Sequence, residues 1–192
     1  MIFCFVYILL MKIETQRLLL AIPELGDEVA TLEFYKNNEN HLAPWDPKKP
    51  DDFFMLDYWA KKIQDAKDEF QNKTSVRFNI FLKESGELIG MVNFTTLERG
   101  PFQNCRVGYK LGEKFQGFGY MNEALSCGIN YMFNELNFHR VEANYIPENI
   151  RSSKVLKSLG FEEHGIARNY LMIAGSWQDH VLTSKINPNW KE

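Results

Sequence analysis

The chain has 192 residues, 45% of them hydrophobic and 24% charged, with a formal net charge of −3. That balance excludes a wholly disordered, collagenous or coiled-coil chain and is enough for one well-filled domain. It also lacks the basic field of a protein whose partner is nucleic acid. The three cysteines, Cys4, Cys105 and Cys127, are odd in number and form no CxxC pair. A disulfide framework and a cysteine-rich zinc site are therefore disfavoured, and a reducing cytoplasm is expected. No His, Cys and carboxylate cluster has metal-ligand spacing, so no metal is expected.

The first ten residues, MIFCFVYILL, are too short to span a bilayer. They carry neither the basic start nor the cleavage site of a signal peptide. Met11-Lys12 reads as a second start. Residues 1–11 are therefore expected to be an apolar N-terminal extension, read either as a mis-assigned start or as an accessory segment that packs somewhere, and residues 12–192 a single domain without a membrane partner. Leu18 to Ile22 reads as a buried strand ended by Pro23. Residues 26–39 show helical spacing in Val29, Leu32 and Phe34. His41 to Pro47 is a loop fixed by Pro44 and Pro47. Residues 51–70 read as a second helix, with Phe53, Trp59, Ile63, Ala66 and Phe70 on its apolar side.

The pattern then changes to period two. Val76 to Leu82 and Leu88 to Leu97 form a hairpin around Glu84 to Glu87, and Cys105 to Leu111 is a further strand. Met121, Ala124, Leu125, Gly128, Ile129, Met132, Phe133 and Leu136 give the strongest helix. Arg140 to Ile146 is a strand. Asn149 to Leu159 is a helix, capped by Asn149 and stopped by Gly160. Phe161 to Ile173 and Trp177 to Ile186 close as a hairpin. The order β-α-α-β-β-β-α-β-α-β-β predicts an α+β domain: a mixed sheet of about seven strands, mostly antiparallel at the start, flanked by helices.

Gln116-Gly117-Phe118-Gly119 stands where a strand passes into the long helix. Glycine there lets the backbone approach an anion, and the free N–H groups of the first turn favour phosphate; a merely tight turn explains the same glycines equally well. A dinucleotide fingerprint fails because Asn122 stands where a third glycine is needed, and no Gly-Lys-Ser/Thr is present.

Val107-Gly108-Tyr109-Lys110-Leu111, then Gln116-x-x-Gly119 and the helix, resembles the acetyl-CoA motif of the GNAT N-acetyltransferases. Asn149-x-x-Ser152 before Leu159-Gly160-Phe161 resembles their second diagnostic segment. Within that family the chain is most similar to the RimJ-type ribosomal-protein-alanine N-acetyltransferases. The likeness is carried by Glu14-Thr15-Gln16-Arg17-Leu18-Leu19-Leu20, Pro44-Trp45, the segment Gln116 to Leu125, His139-Arg140, Ala143 to Ser152 and Tyr170 to Leu182. Met121, where the general motif prefers a small residue, is normal for that branch.

The resemblance implies direct transfer of an acetyl group from acetyl-CoA, as cosubstrate, to the N-terminal amine of a protein. A ribosomal protein beginning with Ala, Ser or Thr is the implied partner, and the enzyme is implied to be a monomer or a homodimer. The backbone of Tyr109, Lys110 and Leu111 would hold the pantetheine. The amides of Gln116, Gly117, Phe118, Gly119, Tyr120 and Met121 would hold the diphosphate. Asn149 would bond the pantetheine arm, and Ser152 would protonate the departing thiolate or, alternatively, only help cap its helix. Some relatives place a glutamate base on the strand before Asn149, where this chain has Asn144; Glu142, two residues earlier on the same strand face, is the other candidate, and a solvated strand residue is its ordinary reading. Trp45 and Tyr170 would border the acceptor. A strong base is not required: roughly a third of an α-amine is neutral at pH 7.5, against about 0.1% of a lysine side chain. A small-amine acetyltransferase and a non-catalytic acyl-CoA-binding module are the alternatives.

Overall fold

The computed structural model describes residues 11–192 and, before them, only the backbone strand Phe5–Tyr7. The expected extension over residues 1–11 thus lies mostly outside the described residues. All seven expected strands are present and two short ones precede them. In chain order they are β1 (Phe5–Tyr7), β2 (Lys12–Glu14), β3 (Leu18–Ala21), β4 (Val76–Leu82), β5 (Leu88–Glu98), β6 (Asn104–Leu111), β7 (Arg140–Tyr145), β8 (Glu162–Ile173) and β9 (Ser176–Ile186). They form one sheet in the order β1-β2-β3-β4-β5-β6-β7-β9-β8. Every neighbouring pair is antiparallel except β6 and β7.

The helices divide between the two faces. Helix α1 (Glu28–Asn37), the single turn α2 (Glu39–Leu42) and α3 (Leu56–Gln71) precede β4. Leu32, Phe34, Tyr35, Leu42, Phe53 and Trp59 pack there against Leu88 and Met91 of β5. Tyr35 and Trp59 stack with ring centres 4.7 Å apart. The second helix begins at Leu56 rather than at 51 because Phe53 folds back into this aromatic cluster as part of a turn. On the other face, α4 (Tyr120–Asn130) and α5 (Ile150–Ser158) cover the larger core. Phe78, Phe94, Leu125, Met132, Phe138 and Leu156 are all at or below 1% exposure there.

The α4 periodicity was expected to run to Leu136. The α-helix instead ends at Asn130 and a wider π-turn continues over Tyr131–Glu135, with Leu136 N–H donating to Tyr131 O at 3.2 Å. That turn lets three consecutive residues, Tyr131, Met132 and Phe133, all reach the core.

Gly128 fixes how closely α4 sits on β5. A Cβ built there would lie 2.9 Å from a ring carbon of Phe94 and 3.6 Å from Val92. Gly128→Ala should therefore destabilise the protein by about 1–2 kcal/mol, the overpacking outweighing the ~1 kcal/mol that alanine gains in a helix. Urea unfolding monitored by tryptophan fluorescence measures this; an unchanged or higher midpoint would show that α4 has room to spare.

Candidate active site

Strands β6 and β7 run side by side for only three pairs: Asn104 with Arg140, Cys105 with Val141, and Arg106 with Glu142. Beyond them β6 continues beside β5 to Leu111, while β7 continues beside β9 to Tyr145. The two strands part, and each keeps a free edge facing the gap. On β6 every second backbone N–H and C=O from Val107 to Leu111 points away from β5 and has no strand to meet. An extended chain laid along Tyr109, Lys110 and Leu111 would pair with them.

At the end of that edge the chain turns through the 3-10 segment Glu113–Phe115 into α4. Gly117 and Gly119 have φ of 83° and 78°, the left-handed region that disfavours side chains. Nothing lies within 4 Å of a Cβ built on Gly117, so its backbone is open to approach. Gly119 is the N-cap of α4 and supplies no capping side chain, which leaves the N–H groups of the first turn for an anion. Phe118 is exposed, Tyr120 lies beside it with ring centres 5.9 Å apart, and Met121 is buried. The Gln116 side chain meets His41 of α2 at 2.8 Å.

A network that composition and spacing did not single out braces this turn from behind. Glu123, in the first turn of α4, accepts from Thr15 Oγ1 at 2.6 Å and from Arg17 N and Nε at 2.8 and 2.7 Å. Arg17 Nη1 donates to Phe118 O at 2.9 Å, and the guanidinium lies 4.5 Å from the Tyr120 ring centre. Burial acts to raise the Glu123 carboxyl. The hydrogen bonds from Thr15 and Arg17 and the Arg17 charge outweigh it and hold Glu123 below the usual carboxylate range.

The other side of the gap carries hydroxyls. Asn149 Oδ1 accepts from Ser152 N at 3.1 Å and caps α5, which brings Ser152 over the β6 edge. Ser152 Oγ lies 2.7 Å from the hydroxyl of Tyr109. Sequence reasoning used Tyr109 only for its backbone. The alternation Val107, Tyr109, Leu111 on the α5 face was the signal that its ring points at Ser152. Burial pushes the Tyr109 hydroxyl up to about 12, the Ser152 hydrogen bond opposing it, so the phenol stays protonated at neutral pH.

Asn144 and Tyr170 come together on the opposite face of the sheet. Asn144 Nδ2 donates to the Tyr170 hydroxyl at 3.3 Å, and Asn144 Oδ1 accepts from Thr183 N at 3.2 Å. His180, buried, packs on the Tyr170 ring. Glu142 is not with them. It sits at the last paired position before the strands part, with Arg106 and Arg140 on its two oxygens at 3.4 and 3.2 Å. A carboxylate paired on both oxygens is poorly placed to take a proton from an amine in the gap.

Trp45 is half-buried and belongs to neither hydrophobic core. Its neighbour Asp46 accepts from Lys110 Nζ at 2.7 and 2.9 Å and, through its carbonyl, from Ala174 N at 2.9 Å. The Lys110 side chain thus leaves the gap for Asp46 and the Tyr35 ring. Burial works against its charge, but Tyr35 and Asp46 keep it above its ordinary pKa. Among the described residues no cluster of His, Cys, Asp and Glu has the makings of a metal site. The splayed edge, the open glycine turn at a helix N-terminus and the paired hydroxyls fit a thioester carried on a long phosphorylated arm.

Residues 17–162 match the family described as an acetyltransferase (GNAT) domain. The chain is 36% identical over 179 residues to the [ribosomal protein uS5]-alanine N-acetyltransferase of Escherichia coli (strain K12), covering 93% of this chain and 92% of that protein. It is 31% identical to a probable N-acetyltransferase of Bacillus subtilis, covering 86% and 92%. Among solved structures, the ribosomal-protein-S5-alanine acetyltransferase of Vibrio fischeri superposes with a TM-score of 0.90 at 36% identity, covering 94% of this chain and 99% of that one. RimJ of Mycobacterium smegmatis, in complex with CoA-disulfide, shares the fold with a TM-score of 0.85 at 24% identity, covering 100% and 89%.

The brace on the turn has a pH signature. Because Glu123 titrates lower folded than unfolded, its ionised form stabilises the fold. That contribution is fully present above the unfolded carboxylate value of about 4.3 and fades as pH falls through the lower folded value. Glu123→Gln should cost about 1–3 kcal/mol at pH 7 and progressively less as the pH falls below about 4. Urea unfolding of both proteins across that range measures the difference; a gap independent of pH would mean that the charge of Glu123 does not matter.

Proposed function

Since the chain belongs to the GNAT acetyltransferase family, we propose that it transfers the acetyl group of acetyl-CoA directly to the N-terminal α-amine of a protein, with a ribosomal protein as the natural acceptor. The observation that carries this reading is the hydroxyl pair of Ser152 and Tyr109, 2.7 Å apart, at the gap between β6 and β7. The acceptor follows from the likeness to uS5-alanine N-acetyltransferase over nearly the whole chain. A small-amine acceptor is not favoured, and a module that only binds acyl-CoA would have no use for the paired hydroxyls. No helix among the described residues is long and apolar enough to cross a membrane, and the proposed site of action is the cytoplasm, where ribosomal proteins are made.

Acetyl-CoA, when bound, supplies an acetyl thioester already activated for attack by an amine. The free edge of Tyr109, Lys110 and Leu111 holds the pantetheine arm as an added strand would be held. The amides from Gly117 to Met121 hold the diphosphate, aided by the α4 dipole; the Gln116 N–H, expected with them, is instead bonded to Glu113 O at 3.2 Å. Asn149, besides capping α5 through its Oδ1, offers its amide Nδ2 to the same arm. Ser152 gives the proton that the departing sulfur needs. Tyr109, protonated at neutral pH, donates to Ser152 Oγ, turns the serine proton outward and can replace it once it has left.

The amine enters from the opposite face, past Trp45 and Tyr170. About a third of an α-amine is already neutral near pH 7.5, so Asn144 has only to orient it, and water held by Asn144 and a backbone carbonyl accepts the released proton. A carboxylate base is unnecessary, which agrees with Glu142 being held by two arginines.

Ser152→Ala should lower kcat about 100-fold, the usual range for a lost proton donor, with little change in the KM for acetyl-CoA. Tyr109→Phe should lower it about 10-fold, and the double variant should be little worse than Ser152→Ala alone, since the two act as one unit. The assay is CoA release with peptides beginning Ala, Ser or Thr, alongside polyamines and aminoglycosides, with mass spectrometry locating the acetyl group. Turnover confined to small amines, or full activity in Ser152→Ala, contradicts the proposal.

A further inference from the structure

Resting on the acetyl-CoA reading above, we infer that Arg17 is a positioning residue for the diphosphate end of the cosubstrate: it aims the Gly119 amide into the turn and draws the Glu123 carboxylate away from it. Both effects follow from contacts on one guanidinium. Phe118 and Gly119 share a peptide plane, in which the C=O and the N–H point in opposite directions. Gly119, at one end of that plane and in the left-handed region, leaves it freer to swing than a residue with a side chain would, because glycine resists rotation least. Arg17 Nη1 holds the Phe118 carbonyl at 2.9 Å. With the carbonyl fixed toward β3, the Gly119 N–H is fixed the other way, toward the open side where the first-turn amides of α4 converge.

The second effect is electrostatic. Glu123 is a carboxylate in the first turn of α4, within reach of the anion the turn would hold, and a free negative charge there would repel phosphate. Arg17 binds it through both its backbone N and its Nε, at 2.8 and 2.7 Å, and Thr15 Oγ1 adds a third bond at 2.6 Å. The carboxylate side chain is only 11% exposed as a result. Its charge is spent on the loop before β3, while the N–H groups of α4 remain available. Stacking of the guanidinium on Tyr120 holds it in the one plane that serves both partners. Lysine can reach the carbonyl or the carboxylate but cannot span both in that plane.

The test separates a role at the diphosphate from a role in folding. S-acetylpantetheine carries the same thioester and lacks the diphosphate, so the informative quantity is the ratio of kcat/KM for acetyl-CoA to that for S-acetylpantetheine. Arg17→Ala should lower this ratio about tenfold or more, and Arg17→Lys should lower it by less while keeping the charge and the fold. Calorimetry with CoA should show the same weakening in Kd. Arg17→Ala damage that is merely structural lowers both kcat/KM values together, and an unchanged ratio in both variants overturns the inference. Wild-type protein that fails to bind CoA at all contradicts the acyl-transfer reading itself, which distinguishes the two failures.

Discussion

The parting of β6 from β7 after three residue pairs is the constraint on which the rest depends. A parallel pair needs a crossover, and here the crossover contains α4. The chain leaves the carboxyl end of β6 and enters α4 at Gly119, while β7 ends and α5 begins at Asn149. Two adjacent parallel strands therefore deliver two helix N-termini to one end of the sheet. This is the crevice at the carboxyl ends where ligands of such sheets bind. If the strands stayed paired to their ends, the backbone groups of Val107 to Leu111 would be used up and the site would have no groove.

The separation also sorts chemistry by face. On the α4 and α5 face lie the hydroxyls of Tyr109 and Ser152 and the glycine turn, all suited to a phosphorylated thioester. On the opposite face lie Asn144, Tyr170 and the Trp45 loop, suited to an incoming amine. Charges near the gap are tied down in pairs: Arg17 with Glu123, Lys110 with Asp46, and Glu142 with Arg106 and Arg140. The middle pair reaches furthest, because Asp46 bonds Lys110 on one arm of the gap and Ala174 on the other. The gap is left with few free charges and with polar groups that are neutral at physiological pH, which suits transfer to a neutral amine.

Much of this was legible in the sequence because its signals are local. An apolar run stopped by Pro23 marked β3, period-two alternation marked the strands that begin at Val76, helical spacing marked α4, and the glycines of the turn announced a strand passing into a helix. Asn149 declared itself as a cap by its position. What stayed hidden depends on contacts far apart in the chain. Arg17 and Glu123 are 106 positions apart, and no spacing rule joins them. The three residues of β2 are too few to show alternation, and they form a strand because β1 and β3 supply partners on either side. Glu142 looked available as a base because its strand face is right; only the register opposite Arg106 shows that it sits where the strands are still closed. The N-terminal boundary of α3 was missed because Phe53, apolar and helically spaced, serves the aromatic cluster from a turn instead.

The most direct test of the central claim is hydrogen–deuterium exchange on the intact protein with and without CoA. The free edge of β6 and the turn before α4 should carry the new protection, in peptides spanning 107–111 and 116–121. The outer strand β8, nearly all exposed, should exchange unchanged. Protection confined to other segments, or none at β6 while CoA is bound, would contradict the claim that the opening between β6 and β7 is the groove in which the cosubstrate lies.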